Sequence, residues 1–137
     1  MHTLSLTALL FLATPVLAAD SKPASPAAEK KSVVKHVGAE EFDRLRQQKD
    51  AVVLDVRTAS EYGEEHLKDA VLIDLRAPDF ADQVAKLDRD KTYLVHCAAG
   101  GRSARACTKL EGLGFKRIVN LEGGLGAWKD AGKPVVK

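Results

Sequence analysis

From residue 33 onward, short apolar runs alternate with segments in which apolar residues recur every three or four positions. Continuous apolar runs are typical of buried parallel strands, and the three-to-four spacing is typical of amphipathic helices. The predicted strands cover residues 33–37, 52–56, 71–75, 92–96 and 117–120. The predicted helices cover residues 39–48, 59–65, 80–87 and 103–113.

This alternation of strands and helices predicts an α/β fold in three layers. Right-handed crossovers give a mainly parallel central sheet of about five strands, with helices on both faces. Open sheets of this kind bind ligands beyond the carboxyl ends of their strands. Cys97 follows the strand predicted over 92–96, and Asp55 and Arg57 lie at the end of the strand predicted over 52–56. We therefore expect all three residues at this edge of the sheet.

Cys97 is followed by a loop of four small residues, Ala98, Ala99, Gly100 and Gly101, which leads into a predicted helix. The N–H groups of such a loop and the unpaired donors of a helix N-terminus converge on one point and favour negative charge there. A partly buried helix terminus stabilises an anion by up to about 2 kcal/mol. The pattern favours a thiolate over an inert cysteine at the end of a strand.

Arg102 and Ser103 open the predicted helix directly after the small-residue loop. Glycines let the main chain approach a ligand closely, so a ligand in this loop would meet peptide amides and the Arg102 guanidinium. The cationic Arg102 is also expected to lower the pKa of Cys97. We expect residues 98–101, Arg102 and Ser103 to bind the substrate.

Asp55 and Arg57 are predicted to be structural residues near the site. Arg57 and Glu61 lie four residues apart across a strand-to-helix turn, a spacing that favours an ion pair, and Asp55 can accept main-chain N–H groups. Successive residues of a strand point to opposite faces, so His96 is expected to point away from the sulfur of Cys97 and is not assigned as a base.

Cys107 is predicted to be a small core residue, and no disulfide with Cys97 is expected. The rise along the helix between the loop and Cys107 is about 7 Å, which places the two Cα atoms beyond the usual disulfide range. No set of His, Cys and carboxylate residues has the spacing of metal ligands, so no metal is expected.

Three separated motifs resemble those of the rhodanese family, in the same order along the chain. The first is Val-Val-Leu-Asp-Val-Arg at 52–57 with Glu61-Tyr62, His66-Leu67 and Ala70 after it. The second is the Cys97 loop with its Arg-Ser pair. The third is the segment 110–115 with Asn-Leu-Glu-Gly-Gly at 120–124 and Trp128. The resemblance spans about residues 33–137. Glu65 and Asp69 stand where the family commonly has glycines, and we expect this to change the shape of a turn.

The resemblance implies a sulfurtransferase that works without a cofactor. Cys97 would take a sulfane sulfur from thiosulfate or a similar small anionic donor as a persulfide. It would then pass the sulfur to cyanide, to a small thiol or to a protein acceptor, while the loop amides and Arg102 stabilise the anions.

Two alternatives stay open from the sequence. Relatives of this fold act as phosphatases or arsenate reductases, but their loops resemble a cysteine, five residues and an arginine, whereas four residues separate Cys97 from Arg102. The smaller ring should suit sulfur oxyanions better than a phosphate ester. The second alternative is a sulfur-carrier module that serves a partner protein without turnover.

The N-terminal residues predict export from the cytoplasm. Residues 1–19 contain no Asp, Glu, Lys or Arg and end in two alanines, a pattern typical of a secretory signal peptide. Residues 20–32 are rich in Pro, Ala, Ser and Lys and are predicted to be a flexible linker before a domain at 33–137. We expect a periplasmic or secreted protein that is not inserted stably in a membrane once the signal is removed.

Charge adds little to this prediction of function. The formal net charge is +2, and the basic residues are dispersed among acidic ones without a basic stripe and interleaved aromatic residues. Nucleic acid is therefore not an expected partner.

Overall fold

Five parallel strands form the centre of the fold in the computed structural model, which describes residues 31–137. In chain order the elements are β1 (Val33–Val37), α1 (Ala39–Arg46), β2 (Ala51–Asp55), α2 (Ala59–Glu64), β3 (Val71–Leu72), α3 (Phe80–Ala85), β4 (Thr92–His96), α4 (Gly101–Gly112), β5 (Arg117–Leu121) and α5 (Gly124–Asp130). The strand order is β1-β5-β4-β2-β3, and every neighbouring pair is parallel. The predicted α/β fold with a mainly parallel sheet of five strands is confirmed.

Separate apolar clusters cover the two faces of the sheet, because side chains alternate along each strand. In β4, Tyr93 packs on one face with Leu110 of α4, and Leu94 packs on the other face with Phe42 of α1 and Trp128 of α5. Helix α3 joins the first cluster. Helices therefore lie on both faces, as predicted.

The strand predicted over 71–75 is much shorter than expected, since its parallel ladder contains just Val71–Leu72. Ile73 still donates its N–H to the carbonyl of Asp55 at 2.9 Å, but the chain then turns. The carboxylate of Asp74 accepts the main-chain N–H two residues further on at 2.8 Å, which stabilises this turn. Every other predicted boundary lies within two residues of the observed one.

Helix α5 was not predicted as an element. The helix begins at Gly124 directly after Gly123, and these two residues have positive φ angles of 59° and 74° respectively. The sequence Gly-Leu-Gly-Ala-Trp-Lys-Asp has two glycines, which are poor helix formers, and therefore lacks a clear amphipathic pattern.

The carboxyl ends of the two central strands β2 and β4 lie side by side, with Asp55 in register with His96. Cys97 follows β4 directly and Arg57 follows β2, so both lie at the same edge of the sheet. Helices α4 and α5 begin at this edge as well. The topology thus brings the predicted site residues to one place.

Asp69 has a left-handed backbone with φ of +65°, whereas Glu65 has an extended φ of −163° that any residue adopts. Aspartate is one of the few residues that tolerate the left-handed region. Asp69 therefore forms its turn in a left-handed conformation that glycine also favours, and the expected change in the shape of this turn relative to the family stays a prediction. The Glu65 side chain lies 2.5 Å from Lys129 Nζ on α5.

The signal peptide predicted over 1–19 and residues 20–30 of the predicted linker lie outside the described residues. Between residues 31 and 137, none of the helices has the length and apolar character needed to cross a membrane.

Candidate active site

The sulfur of Cys97 lies in a cradle of hydrogen-bond donors at the end of β4. Cys97 is 1% exposed. The main-chain N–H of Gly100 donates to Sγ at 3.1 Å, and the Ser103 hydroxyl lies 3.5 Å from Sγ. The predicted convergence of loop amides on the thiol is present.

The pKa of Cys97 is lowered from its ordinary value. Burial acts to raise it, and this effect is outweighed by hydrogen bonds from the Ser103 hydroxyl and from the main-chain N–H groups of Ser103, Gly100 and Ala99. Each of these donors stabilises the thiolate more than the thiol. The loop therefore favours a nucleophilic thiolate without a neighbouring base.

Ser103 lies beneath the sulfur and is fully buried. Its hydroxyl donates to the carbonyl of Gly100 at 3.1 Å while it faces Sγ, and it can turn to donate to the thiolate. The sequence placed Ser103 among the substrate-binding residues. In the structure its buried hydroxyl lies 3.5 Å from the Cys97 sulfur.

Helix α5 sets the direction in which the loop amides point. Leu125 N–H donates to the carbonyl of Cys97 at 2.8 Å, and Gly126 N–H donates to the carbonyl of Ala98 at 3.1 Å. Because these carbonyls face α5, the following N–H groups are free to face the sulfur. A Cβ atom on Gly124 would lie 2.6 Å from the Cys97 carbonyl oxygen, so only glycine permits this approach.

Arg102 contacts a partner that the sequence did not predict. Its Nη1 and Nη2 atoms donate to Oε2 and Oε1 of Glu61, each at 2.8 Å, in a bidentate ion pair. The expected pair between Arg57 and Glu61 is wrong, since Arg57 pairs instead with Asp55. Hydrogen bonds are the main causes that lower the pKa of Cys97, and the charge of Cys97 in turn raises the pKa of Arg102, which agrees with the expected attraction between the two groups.

Thr58 holds Glu61 on its other side. Glu61 Oε2 accepts the Thr58 N–H and the Thr58 hydroxyl, both at 3.0 Å, in a capping box at the start of α2. The hydrogen bonds from Arg102 hold the pKa of Glu61 far below its usual range. The Thr-x-x-Glu spacing was the available sequence signal for this anchor.

Asp55 and Arg57 form a buried ion pair next to the loop. Arg57 Nη2 lies 2.7 Å from Asp55 Oδ2 and donates also to the Glu65 carbonyl at 2.7 Å, which ties the end of β2 to the end of α2. Asp55 Oδ1 accepts the Arg57 main-chain N–H at 3.0 Å, as predicted. These contacts support the predicted structural role of the pair.

His96 faces away from the sulfur, as predicted. Its ring packs edge-to-face with Phe42 on the opposite side of the sheet, with centroids 6.5 Å apart. Nε2 lies 3.6 Å from Asp55 Oδ2, and Nδ1 lies 3.3 Å from the Cys97 carbonyl oxygen. Burial lowers the pKa of His96, so the imidazole is neutral at pH 7.

Cys107 lies in the apolar cluster beneath α4, and the prediction of a core residue is confirmed. Both cysteines are free. Burial raises the pKa of Cys107 to about 12, and the nearby Cys97 charge acts in the same direction.

A shallow groove runs beside the active loop, between α2 and α5, and is lined by Ala98, Leu125, Gly126 and charged side chains. Within residues 31–137 there is no group of three or more His, Cys, Asp and Glu side chains that could hold a metal ion.

The structure thus combines a parallel α/β sheet with a buried cysteine at its carboxyl edge, in a loop whose N–H groups lower the pKa of the thiol. The chain belongs to the rhodanese-like domain family, whose profile matches residues 38–131. The motif-based resemblance is thereby confirmed.

Known proteins similar to this chain include two curated relatives and one solved structure. The thiosulfate sulfurtransferase GlpE of Pseudomonas savastanoi is 36% identical over 95 residues, which cover 69% of this chain and 87% of that protein. The mitochondrial protein HIGH ARSENIC CONTENT 1 of Arabidopsis thaliana is 39% identical over 58% of this chain, which spans about half of that protein (53%). A rhodanese-related protein of Thermoplasma volcanium matches with a TM-score of 0.66 and 34% identity, covering 74% of this chain and 97% of that one.

Proposed function

We propose that this protein is a sulfurtransferase that moves a sulfane sulfur from thiosulfate or a similar donor to cyanide or a thiol through a persulfide on Cys97. Its family membership and its relatives named as sulfurtransferases support this reaction class. The observation that carries the proposal is the buried Cys97 sulfur, with the Gly100 N–H 3.1 Å away and the pKa of the thiol lowered.

The first half-reaction is a displacement at sulfur. The Cys97 thiolate attacks the outer sulfur of thiosulfate, the sulfur–sulfur bond of the donor breaks, and its electron pair leaves with sulfite. The product is a Cys97 persulfide anion, so the total charge is conserved. In the second half-reaction, cyanide takes the terminal sulfur as thiocyanate and restores the Cys97 thiolate, in a ping-pong cycle.

The loop suits the larger persulfide anion as well as the thiolate. Ala98 and Ala99 carry small side chains, and Ala99 is exposed, so the mouth above Cys97 is not blocked by a bulky group. Main-chain N–H groups of the loop are fixed donors that need no reorganisation when charge moves to the outer sulfur. Because the protein carries the sulfur itself, this chemistry needs no cofactor.

Intact-mass measurement after incubation with thiosulfate tests the proposal. We expect wild type and the control Cys107→Ser to gain the mass of one sulfur atom, and Cys97→Ser to gain none. Cyanide should then remove the added sulfur and release thiocyanate. Addition of the sulfur to Cys107, or no addition to wild type with any sulfane donor, would contradict the proposal.

Arsenate reduction is the second candidate, because the Arabidopsis relative bears the name HIGH ARSENIC CONTENT 1. Against it, both terminal nitrogens of Arg102 are bound to Glu61, which leaves no free arginine fork for a tetrahedral arsenate or phosphate. Arsenate reduction or para-nitrophenyl phosphate hydrolysis that depends on Cys97, in the absence of sulfur transfer, would reverse the assignment.

The sulfur acceptor defines a further distinction within the proposal. If the Cys97 persulfide forms once and persists with cyanide and small thiols, the protein is a carrier whose acceptor is another protein. Repeated turnover with small acceptors favours the enzyme.

A periplasmic or secreted location is also proposed, on the apolar pattern of residues 1–19. Fractionation of the producing cells, with the mass of the protein recovered outside the cytoplasm, tests it: we expect a chain shortened at about residue 19.

A further inference from the structure

Arg102 is fully engaged by Glu61 at the mouth of the loop. The two terminal nitrogens of its guanidinium each donate to a separate Glu61 oxygen at 2.8 Å, and the arginine side chain is 15% exposed. The Thr58 capping box fixes the same carboxylate from the other side. The pair therefore has little freedom to open, and the fork of Arg102 is not free to bind a donor oxyanion.

Charged residues near the Arg102–Glu61 pair make the groove beside it more negative. The two cations that line the groove, Arg57 and Lys129, each lie within 2.7 Å of a carboxylate. Glu64 and Asp130 line the same groove and are exposed, and neither forms an ion pair with another residue of the 31–137 range. A donor that approaches Ala98 along this groove therefore meets unmatched negative charge.

Asp74 is a further carboxylate close to Arg102. The Glu61 hydrogen bonds raise the pKa of Arg102 most, and the charges of Cys97 and then Asp74 act in the same direction. The positive charge of Arg102 is thus offset from two directions, and the attraction left for an anionic donor comes from the main-chain N–H groups around Cys97.

We propose that Glu61 is a positioning residue that neutralises Arg102 and thereby makes the site favour sulfane donors with one negative charge over dianions such as thiosulfate. This inference rests on the sulfur transfer proposed above. Amide dipoles stabilise a single negative charge in the cradle, but the thiolate and the acidic groove repel a second one. Thiosulfate remains a substrate, but a monoanionic thiosulfonate is the better one.

Two donors isolate this effect of charge. Thiosulfate and methanethiosulfonate present the same outer sulfur, but in the second donor a methyl group replaces an anionic oxygen. With methanethiosulfonate, the Cys97 thiolate takes the outer sulfur, the donor sulfur–sulfur bond breaks, and the electron pair leaves with methanesulfinate. The measured quantities are kcat and KM for each donor at low ionic strength, where charge effects are least screened.

The variant Glu61→Gln should uncover the charge of Arg102 while a glutamine still supports the capping box. We expect kcat/KM to rise about tenfold for thiosulfate and about threefold for methanethiosulfonate, mainly through KM, because the gain scales with donor charge. The control Glu111→Gln removes one exposed carboxylate from α4, outside the groove and without releasing Arg102, and its effect should stay below about twofold.

The double variant Glu61→Gln with Arg102→Gln should keep the wild-type ratio of the two donors, because it removes both members of a neutral pair. An equal loss with both donors in Glu61→Gln would show a merely structural role and overturn the inference. A fall in kcat/KM for thiosulfate alone in the double variant would overturn the inference too, because it would mean that Arg102 contacts the donor.

Wild type supplies a test that does not depend on the folding of a variant. Added salt should raise kcat/KM for thiosulfate relative to kcat/KM for methanethiosulfonate, because salt screens the repulsion of the dianion. If salt instead lowers kcat/KM for thiosulfate relative to kcat/KM for methanethiosulfonate, the site attracts the dianion. The inference would then be wrong, but the proposed sulfur transfer would still hold. If intact mass shows no persulfide on Cys97 with either donor, the proposed function fails and the inference falls with it.

Discussion

Cys97 and Cys107 lie ten residues apart and are both 1% exposed, yet their thiols have opposite electrostatic surroundings. The pKa of Cys97 is lowered, whereas burial raises the pKa of Cys107 to about 12. Burial from solvent acts in the same direction on both groups. The difference comes from the donors: N–H groups and the Ser103 hydroxyl face Cys97, and apolar side chains surround Cys107.

This contrast teaches that exposure alone does not identify a reactive cysteine. A buried thiol becomes nucleophilic where the main chain is bent so that several N–H groups meet at the sulfur. Here that bend depends on α5, whose N–H groups donate to the carbonyls of Cys97 and Ala98.

The largest expected effect is the difference in alkylation rate between the two cysteines of the native protein. At pH 7 we expect iodoacetamide to modify Cys97 at least roughly a thousandfold faster than Cys107, because the difference between their pKa values reduces the thiolate fraction of Cys107 at least that far. Peptide mapping over time measures both rates in one sample. Comparable rates in the folded protein would remove the contrast.

The variant Gly124→Ala should reduce the difference in reactivity between Cys97 and Cys107, because it displaces the loop around Cys97. The added Cβ would lie 2.6 Å from the Cys97 carbonyl oxygen, at a residue with φ of +59°. We expect a loss of about 3 kcal/mol in the free energy of unfolding, measured in urea, and slower alkylation of Cys97. Gly112→Ala is the control, because a Cβ there has open space; equal losses in the two variants would contradict the account.

The loss of folding stability at alkaline pH should show that the fold keeps the Cys107 thiol neutral, in contrast to the thiol of Cys97. Its folded pKa of about 12 lies above the ordinary value of 9.0, so the unfolded chain ionises first. The contribution of the neutral thiol is therefore present below pH 9 and is lost as the pH rises towards 12. Between pH 9 and pH 11 we expect a loss of about 2.5 kcal/mol that Cys107→Ala does not show.

Groups other than Cys107 titrate in both proteins, and their effects cancel in the comparison of wild type with Cys107→Ala. Urea unfolding at several pH values measures the two slopes. Parallel slopes would mean that Cys107 is not held neutral by the fold.

Removal of the Ser103 hydroxyl should give the smallest of these effects. Ser103→Ala removes a hydroxyl that lies 3.5 Å from Sγ and can turn to donate to the thiolate, so the midpoint of the Cys97 alkylation profile should move to higher pH. At pH 7 the rate should fall about tenfold, the usual effect of one hydrogen bond to a charged group. Ser60→Ala, at an exposed position, is the control and should leave the profile in place. An unmoved profile in Ser103→Ala would leave the main-chain N–H groups as the sole cause.

Much of the fold followed from local patterns in the chain. The strands at 33–37 and 92–96 were predicted with their observed bounds, because continuous apolar runs leave little choice of structure. Helix α5 was missed because its stability comes from contacts: Trp128 is fully buried on the sheet, and the helix N-terminus binds the active loop.

The ion-pair partner of Arg102 could not be predicted from residues that are near it in sequence. Glu61 lies 41 residues away in sequence, and spacing alone favoured the nearer Arg57 as the partner of Glu61. The tertiary fold brings the start of α2 against the start of α4, and the short Asp55 side chain, fully buried beside β4, holds Arg57 instead.

Residue order alone determined that Cys97 ends a strand, that small residues follow it, and that a helix begins behind them. It could do so because strand periodicity and the main-chain donors of a loop are local properties of the chain. Only the tertiary structure decided which way the loop amides turn, which carboxylate neutralises Arg102, and why Cys107 stays inert. Those outcomes depend on hydrogen bonds, charges and burial supplied by segments far apart in sequence, which meet once the sheet and its helices have packed.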